Sequence, residues 1–234
     1  MMKSKEIIDK NLSEGREYIP EFEAYAICEE FGIPYPGYQF VGTKEEGAKA
    51  AEALGYPVVL KIVSPDVIHK SDVGGVIVGI ESKEAFTAAY EELMQNVKEK
   101  AGEVTIDGVL VQKAMPKGVE VATGGLRNDQ FGPVVMFGSG GILIEVFKDV
   151  AFRLAPLDKA EAKRQIEDTK AFEILKGVRG AAPSDMDAVA ELIVNTGRLI
   201  SELSEIDEID FNPVMAYPDG CCVVDARIIA KKRV

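Results

Sequence analysis

The spacing of apolar residues predicts helices at the start of the chain. Apolar side chains recur at three- and four-residue intervals within residues 3–31, which indicates two helices, the second beginning at Pro20. Thr43 and Glu46 then form a capping-box pattern that opens a third helix, and Gly55 closes it. Between the second and third helices, the segment FGIPYPGYQFVGT is interrupted by Pro and Gly and predicts the start of a strand.

Apolar runs bounded by glycine, proline and polar residues predict the strands that follow. Three such runs read YPVVLKIVS, VIVGI and VLVQKAM. The polar loop PDVIHKSDVGG separates the first two, and a helix capped by Ser82 and ending near residue 100 separates the last two. This part of the chain is expected to alternate strands and helices.

From residue 118 onward the pattern changes to strands joined by short turns, in GVEVATGGLRND, GPVVMFGSGGILIEVF and DVAFRLAPL. Helices are predicted around 158–176 and 185–203, and the segment IDEIDFNPVMAYPDGCCVVDARIIA is predicted to be a hairpin with its turn at Pro-Asp-Gly. The order lacks the regular βαβ alternation of a doubly wound fold, so we expect an α+β fold with mixed sheets. A boundary near Met-Pro-Lys-Gly predicts two subdomains, 1–117 and 118–234.

Composition excludes several classes of function. The formal net charge of −12 argues against a nucleic-acid-binding surface, which needs clustered Lys and Arg, although a small phosphate ligand needs only a few cations. The chain has one histidine, His69, which excludes a His-rich zinc site and any Ser–His–Asp triad that does not use it.

The cysteines and apolar segments indicate a cytoplasmic protein without a membrane span. Three cysteines, two of them adjacent, do not form a disulfide framework. The start, MMKSKEIIDK, lacks the apolar region of a secretory signal. The most apolar stretch, PVVMFGSGGILIEVF, is interrupted by glycines and Glu145 and is too short to cross a bilayer.

Lys61 is the first candidate for chemistry. It lies within the apolar strand VVLKIV, where an ammonium group is tolerated if it points into a cleft and meets an anion. The alternative is a lysine on an exposed strand face, and the strand alone does not separate the two.

Three residues near the C-terminus are candidate ligands for a hard cation. Asp210 and Asn212 are two positions apart and so share one face of a strand, and Asp225 returns on the following strand. Carboxylate and amide oxygens suit a magnesium ion that also binds phosphates. The alternative is that Asn212-Pro213 starts a turn and Asp225 is a solvated edge residue.

The order of these motifs resembles a known family. The strand lysine in GYPVVLKIVS, the strand VLVQKAM, the glutamate in KGVEV, and then DFNPV and VVDAR resemble the ATP-grasp nucleotide-binding fold. HKSDVGGV and FGPVVMFGSGGILIEVFKDVAFRLAPL further resemble the β subunit of ADP-forming acetyl-CoA synthetases, relatives of the succinyl-CoA synthetase β subunit. The resemblance covers essentially the whole chain and implies two subdomains with a nucleotide bound between them.

The resemblance implies a role for each candidate residue. Lys61 matches the lysine that contacts nucleotide phosphates, and Glu120 the carboxylate that binds the ribose hydroxyls. The hinge that borders adenine is matched by Gln112, Lys113, Ala114 and Met115. Asn212 and Asp225 match the magnesium ligands, whereas Asp210 stands where Glu is frequent. Arg153 is a candidate phosphate clamp, with a structural salt bridge as the alternative.

His69 is the candidate catalytic residue. A lone histidine can be a surface or core residue, but this one lies in a loop beside Lys70 and before Gly74-Gly75, which predicts an exposed and mobile position. Imidazole is a good phosphoryl acceptor near neutral pH. The resemblance implies a phosphorylated histidine that passes its phosphoryl group to ADP; the corresponding loop of succinyl-CoA synthetase β subunits lacks this histidine.

The glycines Gly138, Gly140 and Gly141 join two apolar segments. A phosphate-binding P-loop would require a following helix with a Lys-Ser/Thr pair, which is absent here, so the pattern favours a tight turn. A subunit contact is the other interpretation.

The implied activity is that of the nucleotide-binding β subunit of an ADP-forming acyl-CoA synthetase, which uses ADP/ATP and Mg²⁺. The implied partner is a CoA-binding α subunit, in an α2β2 assembly. One alternative is a catalytically idle ATP-grasp-like module associated with an acyl-CoA synthetase-like protein acetyltransferase. Another is an ATP-dependent carboxylate ligase that forms no histidine intermediate.

Overall fold

The computed structural model describes residues 3–67, 69–141, 149–178 and 180–232. In chain order its elements are α1 (Lys3–Ser13), β1 (Tyr18–Ile19), α2 (Glu21–Glu30), β2 (Tyr38–Val41), α3 (Lys44–Leu54), β3 (Val58–Val63), β4 (Val76–Ile80), α4 (Lys83–Ala101), β5 (Gly108–Lys113), β6 (Val119–Asn128), β7 (Gly132–Ser139), β8 (Val150–Leu154), α5 (Lys159–Glu167), α6 (Ala171–Leu175), α7 (Met186–Glu202), β9 (Ile206–Tyr217), β10 (Gly220–Val223) and β11 (Ala226–Ala230).

The chain divides into two compact units. Pro36–Pro116 form the first, which we call the small unit. Met1–Tyr35 and Lys117–Val234 together form the second, which we call the large unit. The large unit is therefore discontinuous in sequence.

The small unit is a four-stranded antiparallel sheet with the order β2-β5-β3-β4. Helices α3 and α4 pack against one of its faces. The core on that face includes Val58, Leu60 and Ile62 of β3 and the helix residues Phe86 and Leu93. Because side chains alternate along a strand, the remaining residues of β3 lie on the face away from the helices.

The predicted capping box of α3 is confirmed. The Glu46 N–H donates to Thr43 Oγ1 at 3.2 Å, and the Thr43 N–H donates to Glu46 Oε2 at 3.1 Å. Gly55 ends the helix with a φ of +75°, as its position in the sequence predicts.

We expect Thr43→Ala to lower the free energy of unfolding by about 1 kcal/mol, because it removes the side-chain acceptor of the cap. Urea denaturation followed by circular dichroism measures the change. Thr87→Ala is the matched control, since Thr87 is exposed within α4 and its hydroxyl bonds only the Lys83 carbonyl, at 3.3 Å. Ala is the better helix former there, so a loss in the control as large as that in Thr43→Ala would contradict the capping role.

The large unit contains a sheet of seven strands in the described residues. Its order is β1-β11-β9-β6-β7-β8, and β10 also pairs with β9. Helix α7 packs on β6, β7 and β9 through an apolar face, and its buried residues include Leu192, Ile193, Leu199 and Ile200. The sheet thus has one face covered by a long amphipathic helix.

The first 35 residues belong to the large unit, in contrast to the predicted subdomain 1–117. Tyr18 pairs with Ile229, and the Val223 N–H donates to the Pro34 carbonyl at 2.9 Å. Helix α2 also contacts β11. These contacts join the two ends of the chain: strand β1 adds an edge to the C-terminal sheet, and helix α2 packs against its neighbour β11. The second boundary, after Pro116, lies one residue from the predicted position.

Two predicted elements are interrupted in the structure. The helix predicted around 158–176 is divided into α5 and α6 by Asp168–Lys170. The second strand of the C-terminal hairpin is divided into β10 and β11 by a bend at Val224 and Asp225. The strand predicted in ILIEVF, residues 142–147, lies outside the described residues.

Among the helices of the described residues, none has the length and apolar character that a bilayer crossing requires.

Candidate nucleotide-binding site

Lys61 lies on the face of the small unit's sheet opposite helices α3 and α4. It pairs with Leu110 of β5 and Val76 of β4, and it alternates with the core residues Leu60 and Ile62. Only 5% of Lys61 is exposed, so the alternative of an exposed strand lysine is wrong. A buried ammonium group is stabilised by an anion or by dipoles around it, and a nucleotide phosphate is an anion that could fill this role.

The predicted adenine hinge lies at the end of β5. Gln112 is 2% exposed and pairs with Val59, which places it on the same sheet face as Lys61. The Lys113 ammonium instead donates to the carbonyls of Gly55 and Tyr56, at 2.7 and 3.0 Å, at the end of α3. The Lys113 side chain therefore stabilises the helix terminus.

Backbone hydrogen bonds hold the hinge itself. The Lys113 N–H donates to Gly37 O at 2.8 Å, and the Ala114 N–H donates to Pro57 O at 3.1 Å. Met115 follows as a half-buried apolar residue. These two hydrogen bonds fix the backbone of the hinge at Lys113 and Ala114. Met115, the next residue, is the apolar side chain at the end of the hinge.

His69 is exposed on the loop that joins β3 to β4. Both ends of the loop are anchored: Thr105 N–H donates to Asp66 Oδ2 at 2.7 Å, and Gly75 N–H donates to Lys70 O at 2.7 Å. A side chain at Gly75 would lie 2.6 Å from Ile62, so the chain can approach the sheet there only as glycine. The loop therefore projects its imidazole into solvent from a fixed base.

Asn212 and Asp225 come together in the large unit. Phe211 pairs with Ala226, so the antiparallel register places Asn212 beside Asp225. Asn212 lies inside β9, not at a turn, and Asp225 is half-buried at the bend between β10 and β11. Both alternatives drawn from the sequence, a turn at Asn212 and a solvated edge at Asp225, are therefore wrong.

Asp210 lies on β9 with Asn212, and its carboxylate is near the guanidinium of Arg227. Its carboxylate is 4.0 Å from Arg227, which pairs with it across β9 and β11 and also bonds Glu208. Asp210 therefore has a cationic partner on the neighbouring strand.

The glycine turn after β7 contacts two of the candidate residues, Glu120 and Asn212, and the sequence pattern did not predict these contacts. The Gly141 N–H donates to Asn212 Oδ1 at 2.9 Å, and Gly140 N–H donates to Glu120 O at 3.0 Å. A β-carbon on Gly141 would lie 2.2 Å from Glu120 Oε2, and its φ is +61°. The positive φ favours glycine at the point where the turn meets exposed Glu120 at the start of β6.

The oxygen donors of Asn212 and Asp225 fit a magnesium ion. A hard cation takes carboxylate and amide oxygens, and magnesium typically keeps positions for water and substrate phosphates. Gly141 fixes the orientation of the Asn212 amide by its hydrogen bond to Oδ1. Among the described residues there is no group of three His, Cys, Asp or Glu that could hold a metal.

Arg153 is engaged by carboxylates of the same unit. Its Nε donates to Glu161 at 2.6 Å, and its guanidinium also bonds Asp168. These two partners, Asp168 first, raise the pKa of Arg153. Its contacts are those of the salt-bridge alternative, and we leave Arg153 out of the proposed nucleotide site.

The fold and these features match a known class of nucleotide-binding proteins. Residues 10–230 match the family model described as the ATP-grasp domain, and the chain belongs to this family. The α+β class and the ATP-grasp fold predicted from the sequence are confirmed.

The more specific resemblance is confirmed as well. The chain is 45% identical, over 97% of each sequence, to the acetate–CoA ligase [ADP-forming] I subunit beta of Pyrococcus furiosus. It matches a structure of the dinucleotide-forming acetyl-coenzyme A synthetase 1 of Ca. Korarchaeum cryptofilum, in complex with coenzyme A, Ca-AMPCP and HgCl+, at a TM-score of 0.95 and 45% identity, covering 98% of this chain and 100% of that one.

A second structure of the Korarchaeum protein bears on the histidine loop. It contains coenzyme A and Mg-AMPPCP, and its phosphohistidine segment points towards the nucleotide binding site. It matches with a TM-score of 0.87 and 43% identity, covering 98% of this chain and 100% of that one.

Proposed function

We propose that this chain is the nucleotide-binding β subunit of an ADP-forming acyl-CoA synthetase. The overall reaction is acyl-CoA + ADP + phosphate ⇌ carboxylic acid + ATP + CoA. The observation that carries the proposal is the position of the chain's one histidine, exposed on an anchored loop in the same unit as buried Lys61. The names of the similar proteins agree with it.

The small unit supplies the phosphoryl carrier and a cation. A ring nitrogen of His69 accepts a phosphoryl group and later yields it: the P–N bond breaks as a bond forms between phosphorus and a β-phosphate oxygen of ADP. Lys61 neutralises the charge of the nucleotide phosphates from the sheet face opposite the helices. Gln112 and the backbone at Lys113, Ala114 and Met115 border the adenine.

The large unit supplies oxygen donors. Glu120 accepts hydrogen bonds from the ribose hydroxyls, and Asn212 and Asp225 hold magnesium, with Asp210 nearby on the same strand. Bound magnesium would neutralise charge on the nucleotide phosphates. The bond from Gly141 keeps the Asn212 oxygen oriented.

The name of a relative supports a partner, since that relative, of which the chain spans 97%, is called a subunit. We propose a CoA-binding α subunit, in an α2β2 assembly, that forms the acyl phosphate and phosphorylates a histidine of its own as the P–O bond of the acyl phosphate breaks. The P–N bond of that histidine then breaks as His69 forms its own bond to phosphorus. We place the complex in the cytoplasm; the three free cysteines, two of them buried, support a reducing location.

The test of this function is phosphorylation of the wild-type chain. Incubated with Mg²⁺ and [γ-³²P]ATP, the chain should acquire acid-labile, alkali-stable phosphate, and excess ADP should remove the label as ATP. The assay is run with the chain alone and with its α subunit. Absence of label in both would refute the proposal.

A further inference from the structure

A buried tyrosine of the N-terminal segment lies behind the proposed magnesium ligands. Tyr25 on α2 is 0% exposed and stacks on Tyr35, with ring centroids 5.2 Å apart and planes 18° apart. Its hydroxyl lies 3.1 Å from the Val224 carbonyl and 2.8 Å from Glu21 Oε1. The function proposed above assigns Tyr25 no part.

The Val224 contact joins Tyr25 to both ligand-bearing segments. Val224 directly precedes Asp225 at the bend between β10 and β11, and its N–H donates to Pro213 O at 3.1 Å, next to Asn212. The peptide groups on either side of Val224 are thus held by Pro213 and by Tyr25. A strand interrupted at this point has lost its regular ladder, so these bonds determine where the bend points.

The second acceptor of Tyr25 is also buried. Glu21 lies one helical turn before Tyr25 and is 3% exposed. Burial first, and then the charges of Glu21 and Asp225, hold the pKa of Tyr25 well above its usual value. Glu21 Oε1 and the Val224 carbonyl are thus both within hydrogen-bonding distance of the one Tyr25 hydroxyl.

We propose that Tyr25 is a positioning residue for the metal site: its hydroxyl, held beside Glu21 and the Val224 carbonyl, fixes the bend that presents Asp225 next to Asn212. This inference rests on the proposed function, because it assumes that Asn212 and Asp225 bind a magnesium–nucleotide complex. If Tyr25 has this role, the first 35 residues contribute to the metal site as well as to the packing of the large unit.

The test is Tyr25→Phe in the full chain, with Mn²⁺ as the spectroscopic probe for the magnesium position. Electron paramagnetic resonance measures free Mn²⁺ in the presence of ADP. We expect the dissociation constant of Mn²⁺ to rise about 5- to 20-fold, the range that the loss of one oriented hydrogen bond supports. The affinity for ADP without metal should stay within about twofold. Asp225→Asn, which replaces the anionic carboxylate ligand by a neutral amide, should cause a larger loss and sets the scale.

Tyr35→Phe is the matched control, because it makes the same change on the ring stacked against Tyr25. It should leave the Mn²⁺ dissociation constant within about twofold. Unchanged Mn²⁺ affinity in folded Tyr25→Phe, or an equal loss in Tyr35→Phe, would overturn the positioning role.

Two further measurements keep the inference testable if Tyr25→Phe folds poorly. Glu21→Gln retains an acceptor for the hydroxyl, so its Mn²⁺ affinity should stay within about threefold of wild type, and a larger loss would overturn the assignment to the Val224 bond. In wild type, the Val224 amide should be protected from hydrogen exchange, and an unprotected amide would count against a fixed bend. If wild type is labelled by ATP while these results fail, only this inference is refuted.

Discussion

His69→Asn is expected to abolish acid-labile labelling by [γ-³²P]ATP and to lower the overall reaction by at least about 10³-fold. Asn keeps a polar side chain but has no ring nitrogen to form the P–N bond, and removing a covalent nucleophile generally costs at least this much in rate. The chain has one histidine, so no other residue of its type can carry the label. Labelled ATP with scintillation counting, and the coupled formation of ATP from acyl-CoA, measure the two effects.

The fold and the nucleotide affinity should survive this change. His69 is exposed, and substitutions at exposed positions usually alter stability by less than about 0.5 kcal/mol. Ser71→Ala is the matched control, since Ser71 is exposed in the same loop and its hydroxyl could also take a phosphoryl group. Persistent acid-labile label in His69→Asn, or its loss in Ser71→Ala, would contradict the assignment.

Lys61→Met is expected to raise the dissociation constant of ADP by about 10- to 100-fold. A hydrogen bond to a charged group contributes about 1.5–3 kcal/mol, and each 1.4 kcal/mol is tenfold in affinity. The effect on phosphoryl transfer should be larger still, because the same cation stabilises charge that develops in the transition state. Calorimetric titration with ADP and the labelling rate of His69 measure the two quantities separately.

Met retains the unbranched apolar stem of Lys61, so the variant should remain folded within the sheet. Lys83→Met makes the same substitution in the same unit at an exposed ion pair, where Lys83 Nζ lies 2.7 Å from Glu52. Exposed pairs contribute little, so ADP affinity should not change in the control. Equal ADP affinity in Lys61→Met and wild type would remove Lys61 from the site.

The sequence predicted the fold where local patterns decide it. The capping box at Thr43 and Glu46 and the apolar strand around Lys61 depend on neighbouring residues, and the structure confirms both. The place of residues 1–35 depends on pairing between Tyr18 and Ile229, at opposite ends of the chain. Periodicity carries no information about which strands pair, so the sequence assigned this segment to the wrong unit.

In the candidate site, too, the sequence predicted the local features but not the contacts between residues distant in sequence. The spacing of Asp210 and Asn212 predicted a shared strand face, and the register adds Asp225. The contact of Gly141 with Asn212 joins residues 71 positions apart and could not be foreseen. The run Gly-Ser-Gly-Gly was the available signal, since consecutive glycines mark close approaches of the backbone as well as turns. The partners of Arg153 likewise lie on a following helix and in the turn after it.

The discontinuity of the large unit also sets an order of events during synthesis. The small unit, which carries Lys61 and His69, is complete in sequence once Pro116 has emerged. Strand β1 must wait for β11, because its partner Ile229 lies near the C-terminus. Domains fold as units from the N-terminus, and contacts distant in sequence form late. The histidine loop therefore acquires its anchored base before the sheet that holds Asn212 and Asp225 can close.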